Sequence, residues 1–90
     1  MSNQPFTASK SRDHSASENM KLRSSLMSAL KEFIIRSRLN QVDAAKLFGI
    51  TQPRVSNLMR GKTTLFGLDT LVNMAACAGL QVQISVLMSA

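Results

Sequence analysis

Cysteine and histidine are almost absent from this chain of 90 residues, which contains one of each. Cys77 has no second cysteine to bond within the chain, and His14 lies far from it, so the sequence predicts neither a disulfide nor a metal site. No paired carboxylates and no Cys–His or Ser–His arrangement indicate an enzyme, and no cofactor is expected. One domain of this size is usually marginally stable, which makes oligomerisation the expected further support.

Negative charge is also scarce. Five acidic residues stand against eleven lysines and arginines, which gives a net charge of +6. Between Asp43 and Asp69 every charged residue is positive, and from Thr70 to Ala90 there is none. A basic distribution of this kind favours a polyanionic partner, with nucleic acid ahead of a membrane surface.

Long apolar runs are missing as well. The uncharged C-terminal third is interrupted by glycine and polar residues, and its periodicity changes midway, so it does not predict a membrane span. The polar N-terminus lacks the apolar segment of a signal peptide. The sequence therefore predicts a cytoplasmic protein without a membrane partner.

Residues 1–18 are rich in serine and polar side chains, and Phe6 is their only large apolar residue. Such a segment buries too little surface to offset the entropy of ordering, so we expect a flexible arm. It is either a solvated tail or a segment that contacts a partner or phosphate, and the sequence leaves both open.

Helical periodicity begins near Met20, and Ser17 with Glu18 could start the helix. The apolar stripe of this first helix comprises Leu22, Leu26, Leu30, Phe33 and Ile34. Three more helices are predicted: 41–48 capped by Asn40, 52–60 capped by Thr51, and 68 to about 78. They are expected to end at Gly49, Gly61 and Gly79, and the loop before the last is expected to be anchored to the core by Leu65 and Phe66. Alternation of Val82, Ile84 and Val86 with polar residues then predicts a strand over 81–87.

The second and third predicted helices carry residue types that a steep helix crossing requires. Ala45 provides a small contact, Gly49 a tight turn, and three apolar residues fix the third helix against the core: Ile50, Val55 and Leu58. This spacing predicts a helix-turn-helix, in which the second helix of the pair enters the major groove of DNA.

The predicted groove-facing side chains have the chemistry of base readers. Amide side chains can bond adenine edges, and hydroxyls can bond several bases. We expect base contacts from Gln52, Pro53, Ser56 and Asn57. An arginine can bond a guanine edge, which is the role expected of Arg60 from its chemistry. Contacts to the DNA backbone are expected from Thr51, Arg54, Lys62 and Thr63.

The segments "LNQVDAAKLFGITQPRVSNLMRGK" and "LDTLVNMAACAGLQVQISV" resemble the Xre-like, phage-repressor-type helix-turn-helix family, and within it the HigA-type antitoxins. The resemblance implies a homodimer on a palindromic operator, and a small RNA-cleaving toxin as a frequent partner that the antitoxin neutralises. It also implies that Gln41 and the amides of the third helix approach phosphate, and that Arg60 and Lys62 contact the DNA backbone. The chain departs from the family pattern at Gly67, where a Ser or Thr cap is common, and in replacing a fifth helix by a strand.

A lone strand requires a partner edge, and the economical partner is a second copy of the chain. The fold class expected is thus mainly α: a four-helix helix-turn-helix domain, residues 19–90, whose C-terminal β-strand pairs across a homodimer. Side chains expected at this interface are Met74, Cys77, Val82, Ile84 and Val86, with the first two on the outer side of the fourth helix. Pairing within the chain, with residues 5–8, is the alternative.

Three functions remain open from the sequence: an autoregulating antitoxin repressor, a solitary prophage-type or metabolic regulator without a toxin, and a protein-interaction module that does not read DNA. The absence of acidic residues between Asp43 and Asp69 favours the two DNA-binding functions, because an ordinary solvated surface mixes signs.

Overall fold

The computed structural model describes the backbone of residues 8–88 and the side chains of residues 17–88. In this part of the chain four helices follow one another: α1 (Ala8–Arg36), α2 (Gln41–Phe48), α3 (Gln52–Met59) and α4 (Leu68–Cys77). A short 3-10 turn, Thr63–Leu65, connects α3 to α4. α1 packs mainly against α4, and α2 packs mainly against α3.

The predicted start of α1 near Met20 is wrong, because the helix begins at Ala8. The predicted start was placed where the apolar stripe of the helix begins. A helix that is already nucleated, however, lengthens by one hydrogen bond per residue without burying an apolar face. Residues 8–19 contain neither glycine nor proline to stop that extension. The flexible arm expected over 1–18 stays a prediction for residues 1–7, which lie outside the described residues.

A single apolar core joins the four helices. The predicted stripe of α1 contributes Leu30 and Ile34, both buried, while Leu22 and Phe33 on the same stripe are half-buried. The rest of the core comes from the later helices and the loop before α4, and it comprises Ala44, Ala45, Phe48, Val55, Leu58, Phe66, Leu71, Met74 and Ala75, with Met27 of α1. The short helices α2 and α3 are therefore held by tertiary packing rather than by their own propensity.

Each of the four helices is followed, one or two residues after its end, by a residue of positive φ. The amide of the next residue then donates a hydrogen bond back to a carbonyl in the last turn of the helix. Gly49, Gly61 and Gly79 take this position after α2, α3 and α4, as the sequence predicts. After α1 the position is occupied by Arg38, with φ 55°. A side chain in this conformation costs about 1–2 kcal/mol relative to an ordinary one, so the first turn stores strain that the others do not.

The predicted C-terminal strand is not formed within the described chain, where residues 81–88 are neither helix nor strand. A strand requires hydrogen bonds to a neighbouring strand, and no other described segment supplies them. For the alternative pairing with residues 5–8, residues 5–7 lie outside the described residues, and Ala8 starts α1.

Two side chains, Met74 and Leu65, lie where the sequence did not predict them. Met74 was expected on the outer side of α4 but is 2% exposed, because the core surface of α4 is wider than the stripe inferred from spacing. Cys77, expected on that outer side, is indeed exposed. In the loop before α4, Phe66 is buried as predicted, whereas Leu65 is exposed and does not anchor the loop.

Candidate nucleic-acid interface

The turn between α2 and α3 has the geometry that the spacing predicts. Asn40 caps α2 by accepting a hydrogen bond from the Asp43 amide at 2.8 Å, and Thr51 caps α3 by accepting one from the Arg54 amide at 3.4 Å. Gly49 adopts the left-handed conformation with φ 70°, and the Ile50 amide bonds back to the Ala45 carbonyl at 3.0 Å. The two helices thus form one rigid pair.

The contact residues of this pair are buried as a helix-turn-helix requires. Ala45 is 8% exposed, and Val55 and Leu58 are fully buried against the rest of the core. Ile50 is half-buried and packs against the same core. Because Val55 and Leu58 point inward, the opposite face of α3 must point away from the domain.

The outward face of α3 carries the side chains predicted to read bases. Gln52 and Pro53 are exposed, and Ser56 and Asn57 are half-buried at the rim of the helix. Gln52, Ser56 and Arg60 are spaced four residues apart, as are Pro53 and Asn57. The two sets therefore form adjacent rows on one face of the helix. The structure therefore brings all four predicted base-reading residues onto one accessible surface.

Asn57 and Arg60 interact on this surface. The Arg60 guanidinium donates a hydrogen bond from Nη2 to Asn57 Oδ1 at 3.2 Å. This bond uses one of the two lone pairs of Asn57 Oδ1. The second lone pair and the NH₂ group remain free for a base, for example for N6 and N7 of adenine, so Arg60 can hold the amide while it contacts DNA.

Arg54, predicted to contact phosphate, is engaged within the domain. Its Nη1 donates to the Leu65 carbonyl oxygen at 2.9 Å, and its guanidinium carbon lies 4.3 Å from the centre of the Phe66 ring. Such a stacked and hydrogen-bonded arginine fixes the loop against α3. The sequence placed Arg54 near the DNA backbone by its charge alone and gave no indication of this contact.

The other predicted backbone contacts surround the two short helices. Gln41 and Thr51 are exposed at the first turns of α2 and α3, and Lys62 is exposed in the turn after α3. Thr63 is half-buried, and its hydroxyl donates to the Gly61 carbonyl at 3.2 Å, which occupies the proton that a phosphate contact would use.

Positive charge on this side of the molecule is not neutralised by described neighbours. The ion pairs in the described chain are Lys21 with Glu18 and Arg36 with Glu32, and both lie on α1. None of the cations between Asp43 and Asp69 forms an ion pair with a described residue; they are Lys46, Arg54, Arg60 and Lys62. A surface of one sign without internal partners attracts an extended polyanion.

Sequence reasoning missed Arg23 of α1. Its Nη1 donates to the Phe66 carbonyl oxygen at 3.4 Å, and its buried Nε has no hydrogen-bond partner among the described residues. Arg23 and Arg54 thus hold successive carbonyls of the loop that leads from α3 to α4. Arg23 and Phe66 are 43 positions apart in the sequence, so no local pattern could have revealed the contact.

A family model described as a helix-turn-helix domain matches residues 11–87 of the chain. The chain belongs to this helix-turn-helix domain family. The match extends from α1 through the tail after α4, so the helix-turn-helix pair and its supporting helices all lie inside it. No curated protein matches the chain.

Membership of the helix-turn-helix family identifies the exposed face of α3 as a candidate DNA-binding surface. None of the helices described here is long and apolar enough to cross a membrane. Within residues 17–88, no group of three or more potential metal ligands lies close together.

Proposed function

We propose that this helix-turn-helix protein is a transcriptional repressor that recognises a palindromic operator as a homodimer. The observation that carries the proposal is the outward face of α3, where amide and hydroxyl side chains are accessible on a helix anchored by Val55 and Leu58. Amide and hydroxyl groups at these positions have the donors and acceptors needed to distinguish base edges in the major groove.

The homodimer is part of the proposal because one short recognition helix covers few base pairs. A twofold axis would place two copies of α3 about 34 Å apart, which is one turn of DNA, and the operator would then be a palindrome. The tail after α4 supports this assembly: it is uncharged and largely exposed, which makes it suited to pairing with a second copy.

The proposed regulator is an antitoxin that represses its own operon, and its second partner is the cognate toxin. Only the resemblance to HigA-type antitoxins supports this part, because the fold alone does not distinguish an antitoxin from a solitary regulator. The antitoxin role would be supported if a neighbouring gene encodes a small RNA-cleaving protein and that protein copurifies with this chain. Purification of the chain without such a protein would favour the solitary regulator.

The experiment that tests DNA recognition is footprinting and gel shift with DNA from upstream of the protein's own gene. The expected result is retarded DNA with a protected palindrome at about 0.15 M salt, where competition by unrelated DNA is weak. Equal affinity for upstream and unrelated DNA would contradict the proposal and favour a protein-interaction module.

A further inference from the structure

An apolar groove lies on the side of the domain between α1 and the tail. It has a volume of about 300 Å³ and is lined on one side by Leu22, Leu26 and Ala29 of α1 and on the other by the tail from Leu80 to Ile84. The floor includes Leu30 and Ala75 from the core. The groove is thus an open extension of the hydrophobic core, and no described residue covers it.

The tail beside this groove has two unlike faces. Even-numbered positions from Leu80 to Met88 are all apolar, and the odd positions 81, 83 and 85 are polar. Leu80 and Val82 pack against the core, and the groove is lined by Leu80, Val82 and Ile84 together with the polar Gln81 and Gln83. A tail that pairs as a strand, with alternate side chains on opposite faces, would turn its even face to the groove. The same face continues beyond the groove in Val86 and Met88, which are 87% and 96% exposed.

These last apolar side chains cannot fold back into the groove of their own chain. Residues 80–84 form one wall of it, and a return would require a tight turn directly after Ile84. Residues 85–90 read SVLMSA and contain none of the residues that tight hairpin turns favour, such as Gly, Asn or Asp. A chain that exposes both a groove and the apolar segment that continues its wall is self-complementary across a twofold axis.

We infer that the groove is filled by Val86 and Met88 of a second copy of this chain, through an antiparallel ribbon of two tails centred on Ile84. The inference rests on the proposed homodimer and specifies its register. Ile84 is the midpoint of the extended segment 80–88, so centring there pairs the whole segment. Val86 of each copy then lies opposite Val82 of the other, and Met88 opposite Leu80.

This register keeps chemically similar faces together. Residues directly opposite in an antiparallel pair project to the same side, so even positions meet even positions whenever the axis passes through a residue. The apolar side chains of both tails then share the groove side, and Gln83 of one copy meets Ser85 of the other on the outer side. Leu87 falls on the outer side opposite Gln81, away from the groove.

The first test compares two neighbouring substitutions of the full chain, without DNA, by sedimentation equilibrium. Val86 and Leu87 are almost equally exposed, at 87% and 89%, but only Val86 faces the groove of the partner. Val86→Lys should weaken self-association by about 100-fold or more, because it places a charge in an apolar site. Leu87→Lys should change it by no more than about 3-fold. A monomeric wild type, or equal effects of the two substitutions, would overturn the inference.

A second pair tests the opposite wall of the groove. Ala29 and Ser28 are adjacent and exposed on α1, and only Ala29 lines the groove. Ala29→Lys should block the partner's tail and weaken self-association by about 10-fold or more, whereas Ser28→Lys adds the same charge outside the groove and should leave it unchanged. An unaffected dimer in the Ala29→Lys protein would show that the groove is not occupied.

Disulfide trapping tests the register directly. In a Cys77→Ser background, Ile84→Cys should form a dimer crosslink under mild oxidation, because the two copies of residue 84 are adjacent at the axis. Leu87→Cys should not, because the two copies of residue 87 would lie about 20 Å apart. Crosslinking through position 87 but not 84 would contradict the register. Since these measurements contain no DNA, a wild type that fails to bind an operator would overturn the proposed function without altering them.

Discussion

The exposed face of α3 and the tail after α4 are both left uncovered by the fold, but their chemistry is opposite. The α3 surface carries amides, hydroxyls and cations that lack acidic partners among the described residues. The tail has no charged residue and exposes Ile84, Val86, Leu87 and Met88. A polar basic surface suits a polyanion and an apolar surface suits a protein, so the two surfaces suit different kinds of partner.

The largest effect is expected from Ile84→Lys, which places a charge in the apolar tail. Ile84 is 54% exposed and far in sequence from α3, but a charge there should dissociate the proposed dimer. Operator affinity should then fall by about 100-fold or more, because two half-sites bound together gain avidity that a monomer lacks. The measurements are sedimentation and operator titration, with Leu87→Lys as the control on the outer side. An unchanged dimer would show that the tail is not the dimer interface.

The second prediction divides the α3 surface itself. Asn57→Ala should cost about 1–3 kcal/mol at the operator and relax discrimination at one base position, because it removes a base-reading amide and frees Arg60. Lys62→Ala should weaken specific and unrelated DNA equally and reduce the slope of affinity against salt by about one. Titrations of both variants at several salt concentrations check this. If both changes lower specific and unrelated binding by the same factor, the assigned division of roles is wrong.

The third prediction concerns a cation that the structure uses internally. Arg54→Met should lower the free energy of unfolding by about 1–2 kcal/mol, because the hydrogen bond to the Leu65 carbonyl and the contact with the Phe66 ring are lost. Urea unfolding measures this, with Lys46→Met as the control for removal of an exposed charge. Unchanged stability would show that the contact is not stabilising, and a salt slope lower by about one would show that Arg54 also contacts phosphate.

The smallest expected effects concern the turns that support both surfaces. Arg38→Gly should stabilise the domain by about 0.5 kcal/mol, because relief of the positive φ exceeds the entropy cost of glycine. Gly49→Ala at the equivalent position after α2 should destabilise it by about 1 kcal/mol. Thermal unfolding distinguishes the two signs. A loss of stability in Arg38→Gly would show that the arginine side chain makes a compensating contact.

Local chemistry made the helix-turn-helix predictable. Asn40, Thr51 and Gly49 act through hydrogen bonds and dihedral angles within a few residues, so their roles can be inferred from sequence order. The start of α1 could not be inferred in this way, because extension of a nucleated helix leaves no burial pattern. Nor could the contacts of Arg23 and Arg54 with the loop before α4, which depend on how distant segments pack.

The tail shows a different limit of sequence reasoning. Alternation of apolar and polar residues predicts a strand, but a strand exists only together with the segment to which it bonds. Leu80 and Val82 pack against the core, but no strand forms in the described chain. Ile84, Val86 and Met88 stay exposed, so the packing within one chain does not determine what they contact.

The measurement that tests the central claim most directly is selection of bound sequences from a random double-stranded DNA library by the full-length protein. The account predicts enrichment of an inverted repeat whose half-sites lie about one helical turn apart, with Asn57→Ala losing preference at one symmetric pair of positions. Recovery of no enriched sequence, or an enriched site that Asn57→Ala recognises as well as the wild type does, would contradict the claim that the outward face of α3 reads bases.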